Sequence, residues 1–165
     1  MTLFAGFDCG GTSTRCMLVN ESGEICGLGI SGPANFHYCG RERAAASIKE
    51  SIALAMQTAA ARQLVPADQE PGIGGMFIAS AAVEVFAGEN HAAFFKEVTG
   101  CPNVICDSDI FPVWYAASEK RFAPAICTIA GTGAVTYLLH DDIFVKASGW
   151  GPLFGDEGAG YDLGQ

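Results

Sequence analysis

The chain has 165 residues, half of them hydrophobic, and a formal net charge of −9. That length holds one domain, or one and a fraction, and the composition excludes a disordered chain. The acidic balance excludes binding to nucleic acid through the phosphate backbone, but not ATP, which amides and a metal ion grip locally.

Seven cysteines are scattered at an odd count, with no C-x-x-C pair and no zinc spacing. A disulfide framework is therefore not expected, and a reducing cytoplasm is the natural compartment. No basic residue precedes Arg15, so a secretory signal is not expected either. Residues 122–139 carry no charge, but Pro124 and a glycine turn make them a buried hairpin rather than a membrane span.

In chain order, residues 3–8 and 13–20 read as a first hairpin around Gly10-Gly11. Its turn carries the hydroxyls of Thr12, Ser13 and Thr14, and Asp8 ends the incoming strand. Glycine there permits positive φ and removes Cβ atoms that would block a ligand. Such a turn either cradles a phosphate, with Asp8 beside it for Mg²⁺, or is an ordinary hairpin with an exposed aspartate. Residues 20–23 form a turn and Glu24 to Ser31 a third strand.

Residues 32–40 form a glycine-bracketed loop, in which Asn35 either meets a ligand hydroxyl or sits in a plain turn. Arg41 to Gln63 is an alanine-rich helix with Ile48, Ile52, Ala55, Met56 and Ala59 on one apolar face. A proline-containing acidic loop spans residues 65–71, and an apolar strand follows at 76–79. Asn90 caps a helix through Val98 that Gly100 closes. The strand Val104-Ile105-Cys106 runs into Asp107-Ser108-Asp109 and a helix from Ile110 to about Lys120. Strand, acidic turn and helix make a crossover, and ligands gather at the carboxyl ends of such strands. Clustered charges at 118–122 mark a domain boundary. Beyond it, residues 125–139 repeat the first design as strand, Gly131-Thr132-Gly133 turn and strand, with a further strand at 143–145.

Three stretches in this order, Asp8 to Thr14, Gly131 to Gly133, and Gly149-Trp150-Gly151 through Gly155-Asp156-Glu157-Gly158, resemble the sugar-kinase, Hsp70 and actin superfamily. Within it they are similar to the N-acetylglucosamine kinase and BadF/BadG/BcrA/BcrD-type ATPase family. The resemblance implies an α/β fold: a ribonuclease-H-like domain with a mixed five-stranded sheet over 1–119, and the first strands of a similar second domain over 120–165. It implies ATP and Mg²⁺ as cofactors and an amino sugar as substrate. Asp8 would serve the metal; Gly10, Gly11, Thr12, Thr14, Gly131, Thr132 and Gly133 would serve the phosphates. Asn35, Trp150, Gly151 and Asp156 would serve the acceptor.

Asp109 would be the base, with Asp107 its competitor. Strand alternation points the two to the same side, and the following helix favours an ionised Asp109. Family members are about twice as long, which implies an amino-terminal half that is inactive alone. Its open sheet edge at 133–145 should favour self-association into a homodimer. An alternative is an ATPase that activates a 2-hydroxyacyl-CoA dehydratase or benzoyl-CoA reductase through an iron–sulfur cluster. Cys101 and Cys106 would be its nearest cluster ligands.

Overall fold

The computed structural model describes residues 1–65, 72–85, 90–119, 121–140, 143–151 and 153–164. The chain divides into two compact units, Met1–Ser108 and Asp109–Gln165. The division falls ahead of the charged cluster at 118–122, because the helix before that cluster buries Ile110 and Trp114 with Cys127, Tyr137 and Leu139 of the second unit.

The first unit runs β1 (Leu3–Cys9), β2 (Thr14–Asn20), β3 (Ile25–Ser31), α1 (Phe36–Cys39), α2 (Arg41–Ala61), β4 (Ile73–Ala79), α3 (Ala82–Val85), α4 (His91–Thr99) and β5 (Val104–Asp107). Its strands form one mixed sheet in the order β3-β2-β1-β4-β5. β1 is antiparallel to β2 and parallel to β4, and β4 is parallel to β5. This is the mixed five-stranded α/β architecture expected from the order of elements. The acidic loop expected over 65–71 lies, from residue 66, outside the described residues.

Strict alternation builds the core. Leu3, Ala5, Phe7 and Cys9 are buried while Phe4, Gly6 and Asp8 face out. In β2, Thr14, Cys16 and Leu18 are buried while Arg15 and Met17 are exposed. The buried stripe of α2 is Ala44, Ser47, Ile48, Ser51, Ala55 and Ala59, with Ile52 and Met56 only half-buried. Hydropathy alone left Ser47 and Ser51 out of that face. They are buried because α2 rides close over β3, where a Cβ on Gly27 or Gly29 would overlap the backbone of Ala55 or Ser51. Small side chains on the helix and none on the strand let the two backbones approach. The Ser51 hydroxyl donates to the Ile48 carbonyl at 2.9 Å, and the Ser31 hydroxyl donates to the Ser47 carbonyl at 2.6 Å. The Asn90 side chain caps α4 by accepting from the Ala93 N–H, and Gly100 ends it in the left-handed region, both as expected.

The second unit opens with α5 (Ile110–Ala117), followed by β6 (Ala125–Ala130), β7 (Ala134–His140), β8 (Ile143–Lys146) and α6 (Gly160–Leu163). The three strands form an antiparallel sheet in sequence order. Trp114 is the anchor: its indole N–H donates to the Ala123 carbonyl at 2.7 Å, and Phe122 and Phe144 meet its ring edge-on. No described helix is long and apolar enough to cross a membrane.

The close seam between α2 and β3 should be intolerant of one methyl group. Gly29→Ala is expected to destabilise the first unit by about 1–3 kcal/mol or more in urea titration. Gly11→Ala, whose Cβ meets open space, should leave the midpoint nearly unchanged.

Candidate functional site

In the first unit the expected residues gather at the carboxyl end of the parallel strands. Register places Asp8 beside Ala79 of β4, and Ala79 beside Asp107 of β5. The turn after β1 is closed by the Gly10 N–H donating to the Ser13 carbonyl at 3.0 Å. A Cβ on Gly10 would stand 3.0 Å from that carbonyl, whereas one on Gly11 would meet nothing. Neither glycine uses positive φ, contrary to the expectation from sequence. Gly10 is needed for closeness within the turn, and Gly11 leaves its outer side open. Thr12 lies exposed on that side.

Thr14 is placed differently from the other hydroxyls. β2 begins at Thr14, so alternation turns it into the core. It is fully buried, with an Oγ1 that has no hydrogen-bond partner, so it does not share the exposed side of the turn with Thr12. Alternation sends Arg15 outward instead. Its Nη1 lies 2.9 Å from Asp8 Oδ2, in a directly opposed cross-strand pair. Sequence reasoning missed Arg15, although it is the single arginine or lysine among the first forty residues. The hairpin itself is legible in the sequence, but not the register that sets Arg15 opposite Asp8.

The Gly10 carbonyl faces the other way and accepts from the N–H groups of Ala34 and Asn35, each at 3.3 Å. The Gly10–Ser13 turn and the 32–40 loop are thereby tied through one carbonyl. Asn35 is largely buried and caps α1, its side-chain oxygen accepting from the His37 N–H at 3.3 Å. A second residue not anticipated is Ser80, just past β4. Its hydroxyl donates to the Cys9 carbonyl at 3.3 Å and its N–H to the Asp107 carbonyl at 3.0 Å, which locks the three strand ends together.

Asp107 Oδ1 accepts from the Ser108 N–H at 2.7 Å. Asp109 falls in the second unit at the N-terminus of α5, where its side chain makes no capping bond. Its φ of −64° and ψ of −15° are helical, so the expected alternation of Asp107 and Asp109 along one extended strand does not hold.

In the second unit the Gly131–Gly133 turn is closed by the Gly131 N–H donating to the Gly133 carbonyl at 2.8 Å, and all three of its residues are exposed. The Gly131 carbonyl accepts from the Gly160 N–H at 2.7 Å, which seats the start of α6 on the turn. Asp156 joins two loops. Its Oδ1 accepts from the Gly151 N–H at 3.0 Å, and its Oδ2 stands 2.9 Å from where a Cβ on Gly133 would lie. Gly149 and Gly151 both have positive φ, at 86° and 94°, which explains a glycine on each side of Trp150. Trp150 is 62% exposed, rests against Gly155 and carries the Lys146 ammonium 5.3 Å from its ring centroid. It offers an apolar ring face beside polar loop groups. A hollow of about 480 Å³ next to it is lined by Leu153, Phe154, Gly155, Asp156, Glu157 and Asp162.

A larger hollow of about 630 Å³ in the first unit lies at the opposite, amino ends of β4 and β5, around Gly74, Gly75 and Asn103. It has no part in the strand-end site. Among the described residues no three His, Cys, Asp or Glu side chains converge as a metal cage. The donor set at Asp8 still suits Mg²⁺, which keeps most of its waters and is usually held by one or two carboxylates together with substrate phosphates. Burial, then the Asp107 carboxylate, pushes the Cys106 thiol up to about 12; burial does the same to Cys16.

A model of the BadF/BadG/BcrA/BcrD ATPase family matches residues 5–165. The N-acetyl-D-glucosamine kinase of Dictyostelium discoideum is 25% identical over 168 residues, covering 98% of this chain and 51% of that protein. The chain superposes on a crystal structure described as a candidate N-acetylglucosamine kinase from Chromobacterium violaceum with a TM-score of 0.73 and 23% identity, covering 99% of this chain and 54% of that one. A ROK family glucokinase from Streptomyces griseus, in complex with glucose and AMPPNP, gives a TM-score of 0.56 and 20% identity over 94% and 48% of the two chains. These likenesses show the actin-like ATPase fold shared with sugar kinases. The chain spans about half the length of these relatives.

Asp156→Ala should release the Gly151 amide and loosen the Gly131–Gly133 turn. Hydrogen exchange at residues 131–133 and 149–151 is expected to accelerate while β6 and β7 keep their protection. Unchanged exchange in both loops would show that the carboxylate does not hold them.

Proposed function

The chain belongs to the BadF/BadG/BcrA/BcrD ATPase family, and from that premise we propose that it supplies the phosphate- and acceptor-binding half of an ATP-dependent kinase for an amino sugar such as N-acetylglucosamine or glucosamine. The observation that carries this function is the pairing of Asp8 with an open Gly10–Ser13 turn at the carboxyl end of β1, repeated in kind by the Gly131–Gly133 turn after β6.

Phosphoryl transfer depends on positioning and charge neutralisation more than on covalent chemistry of the protein. In the first unit the amides around Gly11 and the Thr12 hydroxyl bind phosphate oxygens, and Asp8 would hold Mg²⁺. When bound, Mg²⁺ would supply charge neutralisation at the phosphates. Asn35 contributes mainly by fixing the 32–40 loop to the Gly10 carbonyl, since its side-chain oxygen is spent on α1. In the second unit the Gly131–Gly133 turn binds phosphate, Trp150 and the Gly151 loop form an acceptor wall, and Asp156 holds that wall to the turn. Asp109 takes the proton of the attacking sugar hydroxyl.

The dehydratase-activating role is not favoured by the thiols. Cys101 is buried and its Sγ lies 3.6 Å from each of the Ile73 and Asn103 carbonyls, while the Cys106 thiol is raised. A cluster ligand needs an accessible thiolate.

In a chain of the relatives' full length, Asp109→Asn should lower kcat by about 10²–10⁴-fold and leave ATP affinity nearly intact. Asp107→Asn should do less. A reversed order would move the base to Asp107, and no loss from either would remove both. Because a raised pKa keeps a thiol protonated at neutral and mildly alkaline pH, Cys16 and Cys106 should resist iodoacetamide at pH 8 in the native chain and react after denaturation. Rapid native alkylation of Cys106 would reopen the cluster-bearing alternative.

A further inference from the structure

We propose that Arg15 is a built-in counter-ion of Asp8, exchanged for a divalent cation when a polyphosphate reaches the Gly10–Ser13 turn, so that the first unit admits metal with phosphate rather than metal alone. This builds on the phosphate-binding role assigned above to that turn. The register sets Asp8 and Arg15 directly opposite each other, so their side chains leave the same face of the sheet. The guanidinium Nη1 stands 2.9 Å from Oδ2 of the carboxylate that would hold the metal.

Nothing else in register competes for either partner. The other cross-strand neighbour of Arg15 is Ile30, and that of Asp8 is Ala79. Asp107 lies two strands from Asp8, about 10 Å at the usual strand spacing. Left unpaired, Asp8 would be a lone carboxylate open to any cation in an acidic chain; Arg15 neutralises it.

The pair is also built to come apart. Its side chains are 65% and 54% exposed, so water screens the attraction and exchange costs little. The guanidinium sits at the strand end where the phosphate turn begins, and its planar fork matches phosphate oxygens as well as it matches carboxylate. An arriving polyphosphate, with several negative charges, outbids one carboxylate for the arginine. The freed carboxylate oxygen then faces the metal that the polyphosphate brings.

The test uses this 165-residue chain, with Mn²⁺ as the paramagnetic probe and inorganic tripolyphosphate as the phosphate probe. Mn²⁺ binding is followed by electron paramagnetic resonance and metal-free tripolyphosphate binding by calorimetry. Arg15→Gln should bind Mn²⁺ alone about two- to fivefold more tightly than the parent chain and bind metal-free tripolyphosphate more weakly by a similar factor. Arg15→Lys should move both values back towards the parent. A merely structural role for Arg15 would weaken both ligands together, so the opposite signs are the signature. Mn²⁺ affinity that is unchanged or lowered in Arg15→Gln overturns the proposal. If that happens while Asp8→Asn still weakens binding of Mn²⁺ with tripolyphosphate, the counter-ion role alone falls. If Asp8→Asn leaves that binding untouched, the assignment of Asp8 to the metal falls and takes the counter-ion role with it.

Discussion

The position of β1 within its sheet is the constraint from which the first unit follows. β1 is hydrogen-bonded on both sides, antiparallel to β2 and parallel to β4, so its register is held twice. A shift of one residue would exchange every buried and exposed side chain along it. It would put Asp8 into the core and Cys9 at the surface, and would move Arg15 out of opposition. The burial of Leu3, Ala5, Phe7 and Cys9 therefore fixes where the carboxylate emerges, and packing energy far from the strand end sets the chemistry at it.

The parallel pairing of β4 adds the second constraint. Because β1, β4 and β5 run the same way, their carboxyl ends fall on one edge, and Ser80 ties those ends by bonds to Cys9 and Asp107. The turn that follows β1 is bound on its inner side through the Gly10 carbonyl, and Gly11 and Thr12 on its outer side are exposed. The second unit reaches a comparable turn by other means. There the Gly131–Gly133 turn is held from outside, by the Gly160 N–H on the Gly131 carbonyl and by the Asp156 carboxylate against Gly133. A Cβ on Gly10 would crowd the Ser13 carbonyl and one on Gly133 the Asp156 carboxylate, so these two glycines are a matter of space more than of backbone conformation.

Side chains that look like ligands in sequence divide into two kinds once their partners are visible. Thr12, Thr132 and Trp150 are exposed and available. Thr14, Asn35 and Asp156 are engaged in the frame: Thr14 by burial, Asn35 by capping α1, Asp156 by joining two loops. A polar residue next to a binding turn serves equally well by holding the turn, and hydropathy does not distinguish the two.

The sequence by itself determined the order of the strands and longer helices, the two glycine turns, the strand-end carboxylate and the family, because alternation and turn chemistry act over a few neighbouring residues; the short helices α1 and α3 were not legible in it. Helix α4 was legible down to its caps, since Asn90 and Gly100 act on adjacent backbone groups. Only the tertiary structure decided that Ser47 and Ser51 face inward, because that depends on how closely α2 approaches the bare backbone of Gly27 and Gly29. It decided that α5 packs with the second unit, because Trp114 finds partners in β6, β7 and β8. It also decided that Arg15 meets Asp8. The two residues lie seven apart in the chain, and only the hydrogen-bonded register of β1 and β2 brings a charge on one strand to a charge on the other.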